Sequence, residues 1–293
     1  MTEKKQLIWG YFFATATLLM WAGFSLISRM GGKSPLTPYD IFALRLITAA
    51  SLLLPFVRSM PSRWWADKRL WLLTCLCSLV YCPLAYTGFK YAPASHGAIL
   101  LSGLQPFLIS TVAWLLTGTR PGRIRSIGLG LIGSGILCAA MPYLTEWSPD
   151  YAFGDLLILL SSICWAFYGV LAARWKYSPW TLTRSIAFGS AMVYLPIYWA
   201  WLPKGMANAP LSMIVLQGAF QGISATILAM LTYLKSLELL GPERTASFLA
   251  LVPIVIGVLA VPLLDEALTP WLASGIAFAS LGSYVASKAG RRA

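Results

Sequence analysis

One set of polar side chains recurs at helical spacing inside a long apolar stretch. Gln217, Gln221 and Ser224 are spaced i, i+4 and i+7, so they fall on one face of a helix. Polar groups at bilayer depth are costly unless they meet water, a solute or another polar group. This face therefore predicts a hydrogen-bonding wall for a polar solute, and hydrogen bonding between neighbouring helices is the competing explanation.

A second set has nearly the same spacing earlier in the chain. Thr74, Cys77 and Tyr81 lie at i, i+3 and i+7. An offset of 147 residues places Thr74 on Gln221 and Cys77 on Ser224. Two related polar faces predict opposing walls of one central cavity.

Aromatic side chains accompany these polar faces. Trp21, Phe24 and Ser25 share one helix face, as do Trp165 and Tyr168. Aromatic walls combine apolar area with a hydrogen-bonding tip, which suits solutes that carry rings. Cation–π contact would also suit organic cations, and plain helix packing is the alternative.

Two prolines sit inside apolar stretches at matching places. Ser102 and Gln105 stand just before Pro106, and Pro253 is its counterpart 147 residues later. Because proline removes an intrahelical hydrogen bond and frees a carbonyl, these positions predict paired hinges or solute-facing carbonyls. Static kinks needed for packing are the other possibility.

The small number and the positions of the ionisable residues argue against a catalytic or metal-binding site. No Asp or Glu lies in the middle of an apolar stretch, and His96 is the only histidine. No catalytic residue, cofactor or metal ligand is therefore predicted. Arg45 lies about 10 Å into its apolar stretch; it could snorkel, pair with Asp40 or meet a solute carboxylate, and a structural role is favoured.

Composition defines the elements that must hold these residues. The 293 residues are 58% hydrophobic and 11% charged, with a mean hydropathy of +0.71 and a net charge of +12. A soluble enzyme or a nucleic-acid binder would need more polar surface. The expected fold is an all-α integral membrane protein.

Ten apolar runs are long enough to cross a bilayer of about 30 Å. They are predicted near 8–28, 38–57, 70–89, 95–117, 124–143, 154–174, 181–202, 210–234, 244–264 and 269–288. With the N-terminus inside, sixteen Lys and Arg fall on the inner side and four on the outer side. This bias predicts that both termini are cytoplasmic.

The two halves of the chain resemble each other. The offset of 147 aligns Pro106 with Pro253 and Tyr86 with Tyr233. It also aligns two pairs of glycines, Gly128 with Gly275 and Gly135 with Gly282. Five spans per half predict a 5+5 inverted-topology repeat around a central cavity, with domains 1–147 and 148–293.

Further motifs carry a family resemblance over almost the whole chain. They are Trp21-Ala22, Tyr86, Leu104-x-Pro106, Gly154-Asp155-Leu156, Trp165-Ala166, Tyr233, Leu251-x-Pro253 and Asp265-Glu266. The chain resembles the drug/metabolite transporter (DMT) superfamily, of the ten-span type with two EamA-like halves. That pattern usually has a Glu after span four, where this chain has Thr117-Gly118-Thr119-Arg120.

The resemblance implies a secondary transporter of a bacterial-type inner membrane, moving small organic metabolites by alternating access. Export of amino acids or related compounds is expected; a multidrug efflux pump is the alternative and a membrane-embedded enzyme a remote one. The expected partners are a small-molecule substrate and the lipid bilayer, with no nucleic acid. Small residues in spans five and ten predict close-packed scaffold helices or a homodimer surface.

These arguments together give one set of candidate substrate-binding residues. It comprises Trp21, Ser25, Thr74, Tyr81, Tyr86, Ser102, Gln105, Trp165, Tyr168, Gln217, Gln221, Ser224 and Tyr233.

Overall fold

The regular structure of the described residues is entirely helical. The computed structural model describes residues 3–60, 64–118, 120, 122–141 and 148–288. The helices are α1 Glu3–Gly32, α2 Pro38–Ser59, α3 Lys68–Tyr91, α4 Ala94–Thr117, α5 Arg123–Ala140, α6 Pro149–Trp175, α7 Pro179–Trp201, α8 Leu211–Leu240, α9 in two pieces (Pro242–Leu249 and Val252–Leu264) and α10 Pro270–Ser287.

Four of these helices begin with the same sequence device. A Ser or Thr side chain accepts the backbone N–H three residues later, and proline occupies the first helical position. The capping residues are Thr37, Ser148, Ser178 and Thr269. Each cap satisfies a donor that the helix leaves unpaired, and proline has no N–H to lose.

Each of the ten predicted runs overlaps one of these helices, with residues 142 and 143 of the fifth run outside the described residues, but fewer qualify as membrane spans. Six helices in the described ranges are long and apolar enough to cross a bilayer: α1, α2, α3, α4, α6 and α8. The ninth run is interrupted, and its apolar piece, Val252–Leu264, has 13 residues, or about 20 Å. Ten crossings therefore remain a prediction.

Three helices contain segments with π-type hydrogen bonding, in which the turns are wider than in an α-helix. The segments are Cys75–Leu79 in α3, Ala98–Gly103 in α4 and Gly218–Leu228 in α8. The offset of 147 places the first segment inside the third. Such segments often occur at functional sites, and here they lie in helices that carry predicted site residues.

Helices α5 and α10 pack closely through their glycines. A Cβ atom on Gly128 would lie 2.7 Å from the Gly282 carbonyl oxygen, and one on Gly135 would lie 2.7 Å from that of Gly275. From Gly128 to Gly135 on α5, the contacting residue on α10 changes from Gly282 back to Gly275. The two helices are therefore antiparallel. The offset of 147 converts each contact into the other, so the predicted close packing has internal two-fold symmetry.

A second pair of contacts is related by slightly different offsets, 144 residues from Gly10 to Gly154 and 147 residues from Ala92 to Leu239. On α6, a Cβ on Gly154 would lie 2.7 Å from the Cβ of Ala92, at the end of α3. On α1, a Cβ on Gly10 would lie 3.2 Å from the Cβ of Leu239 on α8. The first helix of each half thus packs against the third helix of the other half, which brings residues of both halves together at the centre.

Candidate functional site

A chain of buried hydrogen bonds crosses the centre of the molecule. Arg45 Nη1 on α2 donates to the Tyr86 phenol oxygen on α3 at 3.2 Å. Tyr86 donates to Gln221 Oε1 on α8 at 3.2 Å, and Gln221 Nε2 donates to Ser28 Oγ on α1 at 3.1 Å. Tyr86, Gln221 and Ser28 have no exposed surface. Four helices from both halves therefore meet at one polar cluster.

Gln217 extends this cluster by one turn of α8. Its Nε2 donates to the Ile27 carbonyl at 2.6 Å, and its Oε1 accepts from Gln221 Nε2 at 3.4 Å. The amide groups of Gln217 and Gln221 are fully buried. Since buried amides must find partners, part of the predicted polar face of α8 also joins helices.

Arg45 differs from the other buried arginines in its partners. Arg29 donates to the carbonyls of Phe89 and Lys90 and lies 3.5 Å from Glu266. By contrast, the phenol of Tyr86 is the hydrogen-bond partner of Arg45, and within the described ranges no carboxylate comes within ion-pair distance of it. Arg45 is 8% exposed.

Arg184 on α7 is also buried, at 4% exposed. Its guanidinium donates to the carbonyls of Trp180 and Phe56 and to the Ser59 hydroxyl. Carbonyl oxygens at a helix end thus satisfy Arg184. The guanidinium of Arg45 has five N–H donors, of which one is accounted for by Tyr86.

A row of aromatic rings starts beside Arg45. The Phe24 ring centroid lies 6.0 Å from the guanidinium carbon and 6.1 Å from the ring of Tyr81. Tyr81 is 5.2 Å from Trp165, which is 5.3 Å from Tyr168. The row joins α1, α3 and α6, with Trp165 half-buried. It provides an apolar surface next to a buried cation.

Several predicted site residues fall into two groups that meet at Phe24, whose ring lies 5.9 Å from that of Tyr86 and 6.1 Å from that of Tyr81. Tyr86, Gln217 and Gln221 form the polar cluster, whereas Tyr81, Trp165 and Tyr168 form the ring row. The other predicted site residues make no described side-chain contact with either group. Ser25 is next to Phe24 in the chain, but its hydroxyl makes no hydrogen bond to the row.

Trp21 and Tyr233 form a pair of their own, with ring centroids 5.3 Å apart, and pack on a core cluster that includes α9. Ser25 is fully buried, and its hydroxyl has no hydrogen-bond partner in the structure. Thr74 donates to the Leu70 carbonyl of its own helix at 2.8 Å.

The other polar candidates lie on α4 and α8. Gln105 Nε2 donates to the hydroxyl and carbonyl oxygens of Ser162 at 3.0 and 3.2 Å, while its buried Oε1 has no partner. Ser102 and Ser224 are half-buried. These positions stay predictions, as does the central cavity.

The two prolines lie at real interruptions of their helices. Leu104 follows a π-type segment, and a new helical segment, Gln105–Thr117, begins with Pro106 in its first turn. In α9 the break at Leu251 is followed by Val252–Leu264, with Pro253 in its first turn. The paired breaks agree with the expected geometry; hinge motion at them remains a prediction.

Sequence reasoning placed Arg45 outside the site and did not single out Ser28. The signal for Arg45 was its depth in the second run, but the sequence offered Asp40 as a partner. In the structure, Asp40 instead accepts from Tyr198 at 2.6 Å and from the Gly205 backbone N–H at 2.8 Å. Asp40 is therefore satisfied without Arg45.

A carboxylate closes one end of the bundle, here called the Arg29 end. Glu266, after α9, accepts from the backbone N–H groups of Ala94 and Ser95 at 2.8 and 3.1 Å and from the Ser95 hydroxyl at 2.9 Å. The same carboxylate lies 3.5 Å from Arg29. It thus ties the second half to α1 and to the start of α4, as a capping anion would.

A second polar contact lies near the same end. His96 Nδ1, in the first turn of α4, is 3.0 Å from Asp155 Oδ2 on α6. His96 thus links α4 of the first half to α6 of the second half. Among the described residues, no three His, Cys, Asp or Glu side chains come together as a metal-binding group.

The fold and the site together define a class: a membrane-spanning helical protein whose two similar halves meet at a buried polar centre. Family comparison makes this specific. The model of the EamA-like transporter family matches residues 8–141 and again residues 152–288. The chain therefore belongs to this family, within the DMT superfamily, and contains two copies of its domain.

Individual relatives carry transporter names. The chain is 25% identical to uncharacterized transporter YwfM of Bacillus subtilis, over 96% of this chain and 94% of that protein. It is 26% identical to an uncharacterized transporter of Archaeoglobus fulgidus, over 85% and 87%. For uncharacterized transporter YyaM of Bacillus subtilis, the identity is 25% and the match spans 57% of that protein.

A solved structure supports the fold. One crystal structure of a protein with 18% identity superimposes with a TM-score of 0.64 over 100% of both chains. At this identity the likeness concerns the fold alone.

Proposed function

We propose that this protein is a secondary transporter that moves small organic metabolites, with amino acids or related compounds as the leading class, by alternating access between two inverted halves. The observation that carries the proposal is the match of each half to the EamA-like transporter family. We further propose that all ten helices cross a bacterial inner membrane, with both termini cytoplasmic and export as the direction.

The symmetric contacts support the inverted arrangement. Two antiparallel helices related by an exchange of contacts, as in Gly128–Gly282 and Gly275–Gly135, imply a two-fold axis perpendicular to the helices. For helices that cross a bilayer, such an axis lies in the membrane plane, which is the relation found in inverted repeats.

The Arg29 end supports alternation between two states. Glu266, Arg29 and Ser95 join the halves there through an ion pair and hydrogen bonds. With positive charges inside, this end faces the outside, so the arrangement corresponds to an outwardly closed state. Opening it would require these bonds to break, while the helix breaks at Pro106 and Pro253 would absorb the movement.

Counterflow into proteoliposomes tests the proposal. Purified protein would be given amino acids, sugars, nucleosides and quaternary cations, with and without a pH gradient. We expect transient accumulation of a labelled amino acid, reduced at least about tenfold by Gln221→Ala and by Trp165→Ala. Matched controls are Gln6→Ala and Trp201→Ala, at an exposed amide and at a ring that is 78% exposed.

The outcomes separate the candidate functions. Accumulation of quaternary cations without amino acids would favour multidrug efflux. No accumulation of any solute would contradict the proposal, and conversion of a solute without accumulation would favour an enzyme.

A further inference from the structure

We infer that Arg45 is the anchor for the carboxylate of the transported solute, and that the ring row of Phe24, Tyr81, Trp165 and Tyr168 holds an aromatic or apolar part of the same molecule. This inference rests on the proposed function and names the substrate class: small carboxylates with a ring.

The positive charge of Arg45 has no carboxylate partner among the described residues. A buried ion costs several kcal/mol unless a partner of opposite charge or several hydrogen bonds compensate it. Arg29 has Glu266 and two carbonyls, and Arg184 has two carbonyls and a hydroxyl. Arg45 has the neutral phenol of Tyr86 and the face of Phe24, at 3.2 and 6.0 Å. Its positive charge is thus left for an anion.

The shape of the Arg45 side chain also suits a carboxylate. A guanidinium is planar and presents paired N–H donors that match the two oxygens of a carboxylate. Tyr86 engages Nη1, and donors remain on the same group. Tyr86 is itself held by Gln221, so the ring of the phenol and the guanidinium beside it are fixed in place.

The surroundings of Arg45 are aromatic on one side. The ring row begins 6.0 Å from the guanidinium carbon and continues from α1 to α3 and α6. Aromatic faces bind apolar surface and rings. The buried Ser25 hydroxyl, next to Phe24 in the chain, has no partner and could serve a further polar group of the solute. A carboxylate with a ring matches the cation and the row together.

Binding and transport are measured with pairs of solutes that differ in the carboxylate. The probes are L-phenylalanine and L-tryptophan, each beside its amide, with L-leucine and L-glutamate as carboxylates without rings. Thermal stabilisation of the protein in detergent reports binding, since a ligand of the folded state raises stability. Counterflow in proteoliposomes reports transport.

We expect the wild type to bind the aromatic acids better than their amides. Charge-assisted hydrogen bonds are individually strong, so Arg45→Gln should weaken binding of the acids about 10- to 100-fold and leave the amides within about threefold. Arg45→Lys keeps the charge but loses the paired N–H donors of the guanidinium, so its affinity for the acids should lie between those of the wild type and Arg45→Gln. Arg184→Gln is the matched control: it removes another buried arginine and should leave the ratio of acid to amide unchanged.

Two results overturn the inference: equal binding of acids and amides by the wild type, or an unchanged ratio in Arg45→Gln. If Arg45→Gln does not fold, the wild-type ratio and Arg45→Lys decide. Transport of sugars or nucleosides with no binding of any carboxylate would leave a metabolite transporter standing and end this inference. Binding of the acids without transport of any solute would support this inference and contradict the proposed function.

Discussion

Tyr86 on α3 and Gln221 on α8 are joined by a hydrogen bond of 3.2 Å that connects the two halves of the chain inside a fully buried centre. Tyr86 uses its oxygen twice, as the acceptor for Arg45 and as the donor to Gln221. One phenol therefore sets the position of a buried cation and of a buried amide, so the polar centre can move only as a unit or by breaking this bond.

Replacing Tyr86 by Phe should destabilise the protein. Arg45 and the Gln221 amide oxygen would both lose a buried partner, which costs about 1–3 kcal/mol for each unsatisfied group. Unfolding in detergent, followed by tryptophan fluorescence, measures the loss. Tyr91→Phe is the control in the same helix, because the described contact of Tyr91 is with the ring of Phe153 and not a hydrogen bond. Equal stability of the two variants would contradict the role given to Tyr86.

The contact of α5 with α10 predicts a strong contrast between neighbouring glycines. Gly128→Leu would drive a side chain into the Gly282 carbonyl, 2.7 Å from the new Cβ, and should abolish folding or cost more than about 3 kcal/mol. Gly130→Leu, where a Cβ meets nothing within 4 Å, should leave a stable monodisperse protein. Size-exclusion chromatography after heating compares them. Tolerance of both substitutions would refute the packing.

Loss of the Glu266 charge should loosen the Arg29 end. Glu266→Gln removes the ion pair with Arg29 and leaves a single oxygen acceptor where the carboxylate has two. In a background without the native cysteines, Ser25→Cys should then react several-fold faster with a membrane-impermeant thiol reagent added outside. Lys235→Gln, which removes an exposed ion pair with Glu238, should not change the rate. An unchanged labelling rate in Glu266→Gln would contradict the proposal that the Glu266 charge keeps the Arg29 end closed.

A pH-dependent contact lies outside the membrane-spanning helices. Burial is the largest single influence on Asp67 and opposes its ionisation, but hydrogen bonds from the Tyr177 phenol at 2.6 Å and from the backbone N–H groups of Arg69 and Leu70 together outweigh it and lower the pKa of Asp67. Burial and the bond to Asp67 raise the pKa of Tyr177 to about 12. Because folding lowers the pKa of Asp67 and raises that of Tyr177, the stabilisation by this bond is fully present between about pH 4 and about pH 10, the ordinary pKa values of the two groups.

The stabilisation by the Asp67–Tyr177 bond should therefore depend on pH in the acid range. Because folding lowers the pKa of Asp67, its stabilisation is present above the unfolded pKa and is lost as the pH falls through the folded value. Tyr177→Phe should lower the melting temperature at pH 7, and the difference from wild type should shrink towards pH 3. Tyr11→Phe, at a ring that is 42% exposed, is the control. A difference that stays constant with pH would contradict the assignment.

Much of the architecture follows from local sequence signals. A capping Ser or Thr before proline marks the starts of α2, α6, α7 and α10, because both features act within one turn. The matched glycines of α5 and α10 likewise indicated where backbones meet. These signals depend on neighbours in the chain or on the repeat, both of which the sequence displays.

The side-chain grouping was harder to predict because two helices depart from α-helical periodicity. The segment Gly218–Leu228 has wider turns, so each residue rotates less than in an α-helix, and the face shared by Gln217 and Gln221 need not include Ser224. The segment Cys75–Leu79 also has wider turns, so Thr74 and Tyr81 on either side of it need not share one helix face. Spacing rules that assume 3.6 residues per turn fail across such segments.

The partner of Arg45 depended on tertiary contacts. Asp40 is five residues away in the same helix, but Tyr198 and Gly205, more than 150 residues later, satisfy it. Nothing local in the sequence indicates that choice. Among the described residues no carboxylate pairs with the Arg45 guanidinium, and this follows only from the tertiary contacts of α2.

Counterflow of L-phenylalanine into proteoliposomes, with wild type and Arg45→Gln side by side, tests the central claim most directly. Loaded vesicles of the wild type should accumulate labelled phenylalanine above equilibrium and then release it, while Arg45→Gln vesicles, with equal amounts of folded protein, should show at most about a tenth of that peak. Equal peaks from the two proteins, or no peak from the wild type with any solute of the panel, would contradict the account.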